Sequence, residues 1–98
     1  MNASVAIQVL PCTTDDNEVI RIVDEVIAYI KSFGLNTYVG PFETTIEGDY
    51  DQLMEIVKGC QQVAIDAGGI DAVSTYVKIV YKPEGEVLTI EKKVSKHH

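Results

Sequence analysis

The sequence predicts an α+β domain in which a four-stranded antiparallel sheet carries two helices on one face. Three observations predict it. Two segments repeat apolar residues at the three- and four-residue spacing of a helix, and four shorter runs have strand character. These fall in the order β-α-β-β-α-β, which right-handed crossovers fold most simply into one sheet with both helices on the same side. The length, 98 residues, suits one domain with one two-layer core, so residues 1–98 are expected to form a single unit.

The first strand is Ser4 to Leu10, with Val5, Ile7 and Val9 on one side and Ala6, Gln8 and Leu10 on the other. The first helix spans Asp15 to Phe33, where Val19, Ile20, Val23, Val26, Ile27, Ile30 and Phe33 form an apolar stripe. Asp15 and Glu18 read as a capping box, and Gly34 as a left-handed stop. Thr37–Val39 and Glu43–Glu47 are short strands around Gly40-Pro41. The second helix spans Tyr50 to Ala67, capped by Asp49 with Gln52 and ended by Gly68-Gly69. Gly59 lies inside it, at a cost of about 1 kcal/mol relative to alanine, and marks a close-packing point. Val73–Lys82 is a long β-branched and aromatic strand, ended by Pro83-Glu84-Gly85. In the tail, Thr89 can cap a short helix through Val94, with a strand as the alternative; His97 and His98 read as solvated terminal residues. The first and third strands are then central, the fourth outside the first and the second outside the third. This is a ferredoxin-like sandwich.

Composition narrows the function. The chain has 8 basic and 15 acidic residues, a net charge of −7, and no basic cluster, which argues against nucleic acid. No apolar run approaches the roughly 18 residues of a membrane span, and the opening residues lack the features of a signal peptide. Cys12 and Cys60 lie far apart and read as reduced thiols, so a cytoplasmic protein is expected. The familiar chemistries of this scaffold leave no mark: there is no paired-cysteine loop, phosphate loop or nucleophile–base pair, and Arg21 is the sole arginine. Asp15, Asp16 and Glu18 are acidic residues at a helix start, their usual place. No metal, cofactor or catalytic residue is expected.

The outer face of the sheet is more informative. If Val5, Ile7, Val9, Ile46, Val73, Val77 and Ile79 face the helices, then Ala6, Gln8, Leu10, Thr45, Glu47, Ser74, Tyr76, Lys78 and Val80 face away. That face is too apolar for a small monomer, and the simplest cover is the same face of a second subunit, giving a dimer or, with further pairing, a tetramer. The same parity sets Glu47, Gln8 and Lys78 in a row across three strands. Such a row serves either as a polar network fixing subunit register or as a recognition site for a small heterocycle.

The segment Gly40-Pro41-Phe42-Glu43-Thr44-Thr45-Ile46-Glu47-Gly48 resembles the Gly-Pro-x-x-Thr-x-x-Glu-Gly element of the small thiamine-binding proteins of the YkoF-like family. Val73, Thr75, Lys78 and Ile79 match a second element of that family, and the first strand ending in Leu10-Pro11 its opening. The resemblance implies a ferredoxin-like subunit, assembly into dimers or tetramers, and non-enzymatic binding of thiamine or its hydroxymethylpyrimidine half. It implies a ligand site at Thr44, Glu47, Gly48, Thr75 and Lys78, to which Gln8 and an aromatic, Phe42 or Tyr76, are added as candidates from the fold. Thr44 and Glu47 differ in strand parity and should point to opposite faces unless the strand bulges. The alternative function is a structural or regulatory homo-oligomer that binds a protein or another small metabolite.

Overall fold

The computed structural model describes residues 1–97. Strand β1 (Ala3–Pro11) leads into helix α1 (Asp16–Lys31), the hairpin β2 (Asn36–Val39) and β3 (Thr44–Gly48), helix α2 (Tyr50–Gly68) and strand β4 (Val73–Tyr81). A short helix α3 (Ile90–Val94) and one 3-10 turn (Ser95–His97) follow. The sheet order is β2-β3-β1-β4, with every neighbour antiparallel. This is the expected ferredoxin-like sheet. His98 lies outside the described residues.

The core is the inner face of the sheet against the helix pair. Ala3, Val5, Ile7 and Val9 of β1 and Ile46 of β3 meet Ile22, Val26 and Ile30 of α1 and Leu53, Ile56, Cys60 and Ala64 of α2. The alternation read for β1 therefore holds. The stripe read for α1 is rotated: Ile22 is buried, whereas Ile20 and Phe33 are exposed. Both residues extend an apolar arc that is wider than the buried contact. Gly59 is a close-packing point, because a side chain there would collide with the Tyr29 hydroxyl of α1.

Local signals place the helix ends. The Asp15 carboxylate accepts from the Asn17 and Glu18 amides, at 2.9 and 3.4 Å, and so caps α1. Glu18 turns to Arg21 at 2.6 Å rather than back to the cap, so the capping box is half formed. Gly34 and Gly69 adopt the left-handed conformation after α1 and α2. At the start of α2 the sequence expectation fails, for Asp49 makes no side-chain cap. Asn2 supplies the acceptor instead, taking the Tyr50 amide at 2.9 Å from across the fold. Arg21 donates to the Ala67 carbonyl at 2.8 Å, tying α1 to the C-terminal end of α2.

Candidate functional site

Strand registers decide which candidates can meet. On the outer face, Glu47 lies opposite Ser4, and Ser4 opposite Val80; Lys78 lies opposite Ala6, and Gln8 opposite Tyr76. The expected row of Glu47, Gln8 and Lys78 therefore does not exist. Parity is right for all three residues, but the offset between strands is not, and parity alone carries no offset. The carboxylate that meets Lys78 is Glu43, whose Oε1 is 3.2 Å from Nζ.

Glu47 has a different task. It is 5% exposed, and each of its oxygens is held: Oε1 accepts from Asn36 Nδ2 at 2.7 Å, and Oε2 from the Ile90 amide at 2.8 Å. The Ile90 amide opens α3, so this buried carboxylate pins the tail onto the outer face, where Val87 and Ile90 are buried. Thr89 caps α3 through the Lys92 amide, as its position suggested. The tail thus covers part of the apolar outer face. Leu10, Tyr76 and Val80 remain exposed on the rest.

Thr44 points to the inner face and Glu47 to the outer, since no bulge intervenes in the register. Gly48 ends β3 at the turn into α2, where an added side-chain carbon would only meet Leu35 and Leu53 in ordinary contact. Thr75 lies opposite Val9 on the inner face, and its buried hydroxyl has no hydrogen-bond partner among the described residues. Such a group costs about 1–3 kcal/mol. Tyr76 is an exposed residue of the outer face.

Three of the candidates do come together. Gln8, Phe42 and Thr44 line a pocket of about 380 Å³ between α1 and the β2–β3 loop. Its walls are Ile7, Val9 and Leu10 of β1 and Val23, Val26, Ile27 and Ile30 of α1; Gly40, Pro41 and Glu43 complete the rim. The pocket exists because β3 begins at Thr44, opposite Ile7, whereas β1 runs on to Pro11. Beyond Ile7, the β1 edge that faces away from β4 has no strand partner, and the loop bridges the gap through a turn from the Gly40 amide to the Glu43 carbonyl at 2.9 Å. Main-chain donors and acceptors of an unpaired strand edge thus border an apolar slot. Among the described residues, no lysine, arginine or histidine lines it, and Glu43 is its sole titratable residue. The volume falls within the usual range for small-molecule sites.

Sequence reading missed Glu43 and the α1 wall. Glu43 shares the outer-face parity of Glu47 and was available to the same argument; Val23 and Ile27 were read only as members of the apolar helical stripe. Among the described residues, no group of three or more histidine, cysteine or carboxylate side chains could hold a metal. No helix there is long and apolar enough to cross a membrane.

Fold and pocket together define a small ferredoxin-like domain with a ligand-sized slot at one sheet edge. Residues 5–98 match the model of the thiamine-binding protein family, and the chain belongs to that family. A UPF0045 protein of Clostridium perfringens is 44% identical over 94 residues, which are 96% of this chain and 95% of that protein. Among solved structures, a domain of unknown function (DUF77) from Bacillus cereus matches with a TM-score of 0.85 at 37% identity, covering 100% of this chain and 91% of that one. A candidate thiamine biosynthesis/salvage protein from Thermotoga maritima matches with a TM-score of 0.85 at 32% identity, each chain covered in full.

Proposed function

We propose that this protein binds thiamine, or its hydroxymethylpyrimidine half, without transforming it, in the slot between α1 and the Gly40–Glu43 loop. It would serve as a cytoplasmic carrier, buffer or sensor. The observation that carries this reading is the unpaired edge of β1 beside an apolar wall. An aminopyrimidine is flat and presents a donor and an acceptor side by side, which is the pattern a strand edge reads. Thr44 adds a side-chain hydroxyl on the inner face, Gln8 borders the slot from the outer-face parity of β1, and Phe42, 79% exposed on the rim, can close over the ring. Gly40, Pro41 and Thr44 of the Gly-Pro-x-x-Thr-x-x-Glu-Gly segment border the slot, whereas Glu47 and Gly48 do not. Absence of a lysine or arginine from the lining suits a thiazolium cation. A slot with one titratable side chain offers no acid–base pair, which favours binding over catalysis.

Calorimetric titration with thiamine and hydroxymethylpyrimidine tests the site. Saturable binding is expected with both, and Thr44→Val should weaken it about tenfold, the worth of one hydrogen bond of about 1.4 kcal/mol. Phe42→Ala should weaken it less and leave stability unchanged. Heat with neither ligand, from folded protein, would remove the reading.

The outer face supports self-association as a further part of this proposal. Tyr76, 63% exposed, and Leu10, exposed diagonally across on β1, form a patch that the tail leaves bare. A dimer through this patch is expected in light scattering, and Tyr76→Glu should yield a monomer that still binds thiamine. A monomeric parent protein would refute the association and leave the ligand site intact.

A further inference from the structure

A second pocket, of about 270 Å³, lies on the opposite side of the sheet, where α3 crosses the outer face. Its apolar walls are Ala6 and Val80 of the sheet and Ile90 and Val94 of α3, with the hydroxyls of Ser4 and Thr45 also lining it. Its charge is the reverse of the first pocket's. Lys78 from β4 and Lys93 from α3 line it, and among the described residues no acidic side chain does. That is unusual in a chain of net charge −7, where a solvated face would carry carboxylates by default.

We propose that this pocket binds a small apolar monocarboxylate, its hydrocarbon body between α3 and the sheet and its carboxylate between Lys78 and Lys93. Charge selects the occupant. Lys93 makes no ion pair among the described residues, whereas Lys78 is shared with Glu43 at 3.2 Å. With Lys78 shared with Glu43, Lys93 is the ammonium left to pair with an occupant, which suits a monoanion and not a phosphate dianion. Glu47 lies behind Ile90, buried, with both oxygens already held, and its charge weighs further against a dianion. The same two lysines disfavour a thiazolium cation, so the pocket is no second thiamine site. Tail and sheet each contribute one lysine, and an occupant would fasten α3 in place.

The test uses octanoate and benzoate as probes, with octylamine as the charge-reversed control. Binding is followed by amide chemical shifts on the full chain. Octanoate, benzoate or both should move the amides of Ala6, Thr45, Val80 and Val94, and octylamine should not at the same millimolar concentration. Lys93→Met, at an exposed position that folding does not need, should weaken carboxylate binding at least fivefold and leave thiamine titration unchanged. Lys78→Met should act in the same direction. Equal shifts with octanoate and octylamine, no response to Lys93→Met, or no shift because a second copy covers the pocket would each overturn the proposal. Thiamine binding is read at the Gly40–Thr44 amides on the other face, so failure of one site leaves the other measurable.

Discussion

Cys60 shows what burial does to one side chain. It sits at 0% exposure among the core residues of α2, and desolvation pushes its thiol from near 9 up to about 12. The unfolded chain therefore releases this proton first as pH rises. The stabilisation is complete below about pH 9 and is lost progressively between about 9 and 12, because deprotonation then favours the unfolded state. By pH 10 the loss is on the order of 1 kcal/mol. Urea denaturation of the parent protein and of Cys60→Ala from pH 8 to 11 should give stabilities that converge above pH 9. Parallel profiles would show that the buried thiol does not titrate differently in the two states. Cys12 is exposed in the loop after β1 and makes the contrast: reactivity here follows access, not sequence neighbourhood.

Among the elements, α3 owes most to a distant residue. Five residues do not hold a helix by themselves, so its position rests on burial of Val87 and Ile90 and on the Glu47 carboxylate. Glu47→Ala should cost about 1–3 kcal/mol, since it orphans the buried Ile90 amide, while the exposed Asn36 amide turns to water. Glu47→Gln should cost less than about 1 kcal/mol, because the Asn36 amide can turn its oxygen to the new donor. Amide exchange over residues 87–94 should accelerate strongly in the alanine variant, and unchanged exchange there would show that apolar contact alone holds the tail. The elements themselves were legible because their signals are local: β1 alternation, the Asp15 cap, Gly34 and Gly69, and the Thr89 cap. What was not legible depended on contacts far apart in sequence. The offset of β3 against β1 broke the expected row, Asn2 replaced Asp49 at the start of α2, and Glu47 was committed to the tail. Of the candidate site, Gln8, Phe42 and Thr44 were found by motif and parity, while Val23 and Ile27 were hidden because a pocket wall on a helix looks like core in one dimension.

The charge of the whole molecule bears on which ligand it gathers. A net −7 on 98 residues surrounds the molecule with a negative field, and among the described residues no cationic side chain lines the slot beneath the Gly40–Glu43 loop, Lys78 lying against Glu43 at its rim. Thiamine carries a permanent positive charge on its thiazolium ring; its hydroxymethylpyrimidine half is neutral at pH 8. If the slot reads the pyrimidine and the molecular field draws the thiazolium, the two ligands must respond differently to salt. Raising ionic strength from low salt to about 0.5 M shortens the screening length from tens of ångströms to a few. Thiamine affinity should fall about fivefold over that range, and hydroxymethylpyrimidine affinity should stay within error. The phosphorylated forms invert the argument, because their anionic groups meet the same field unfavourably and should bind better as salt rises. Calorimetric titrations at matched pH with the three ligand types measure this directly. Equal salt dependence for the cation and the neutral pyrimidine would mean that the −7 field plays no part and that affinity lies wholly in the apolar wall and the β1 edge.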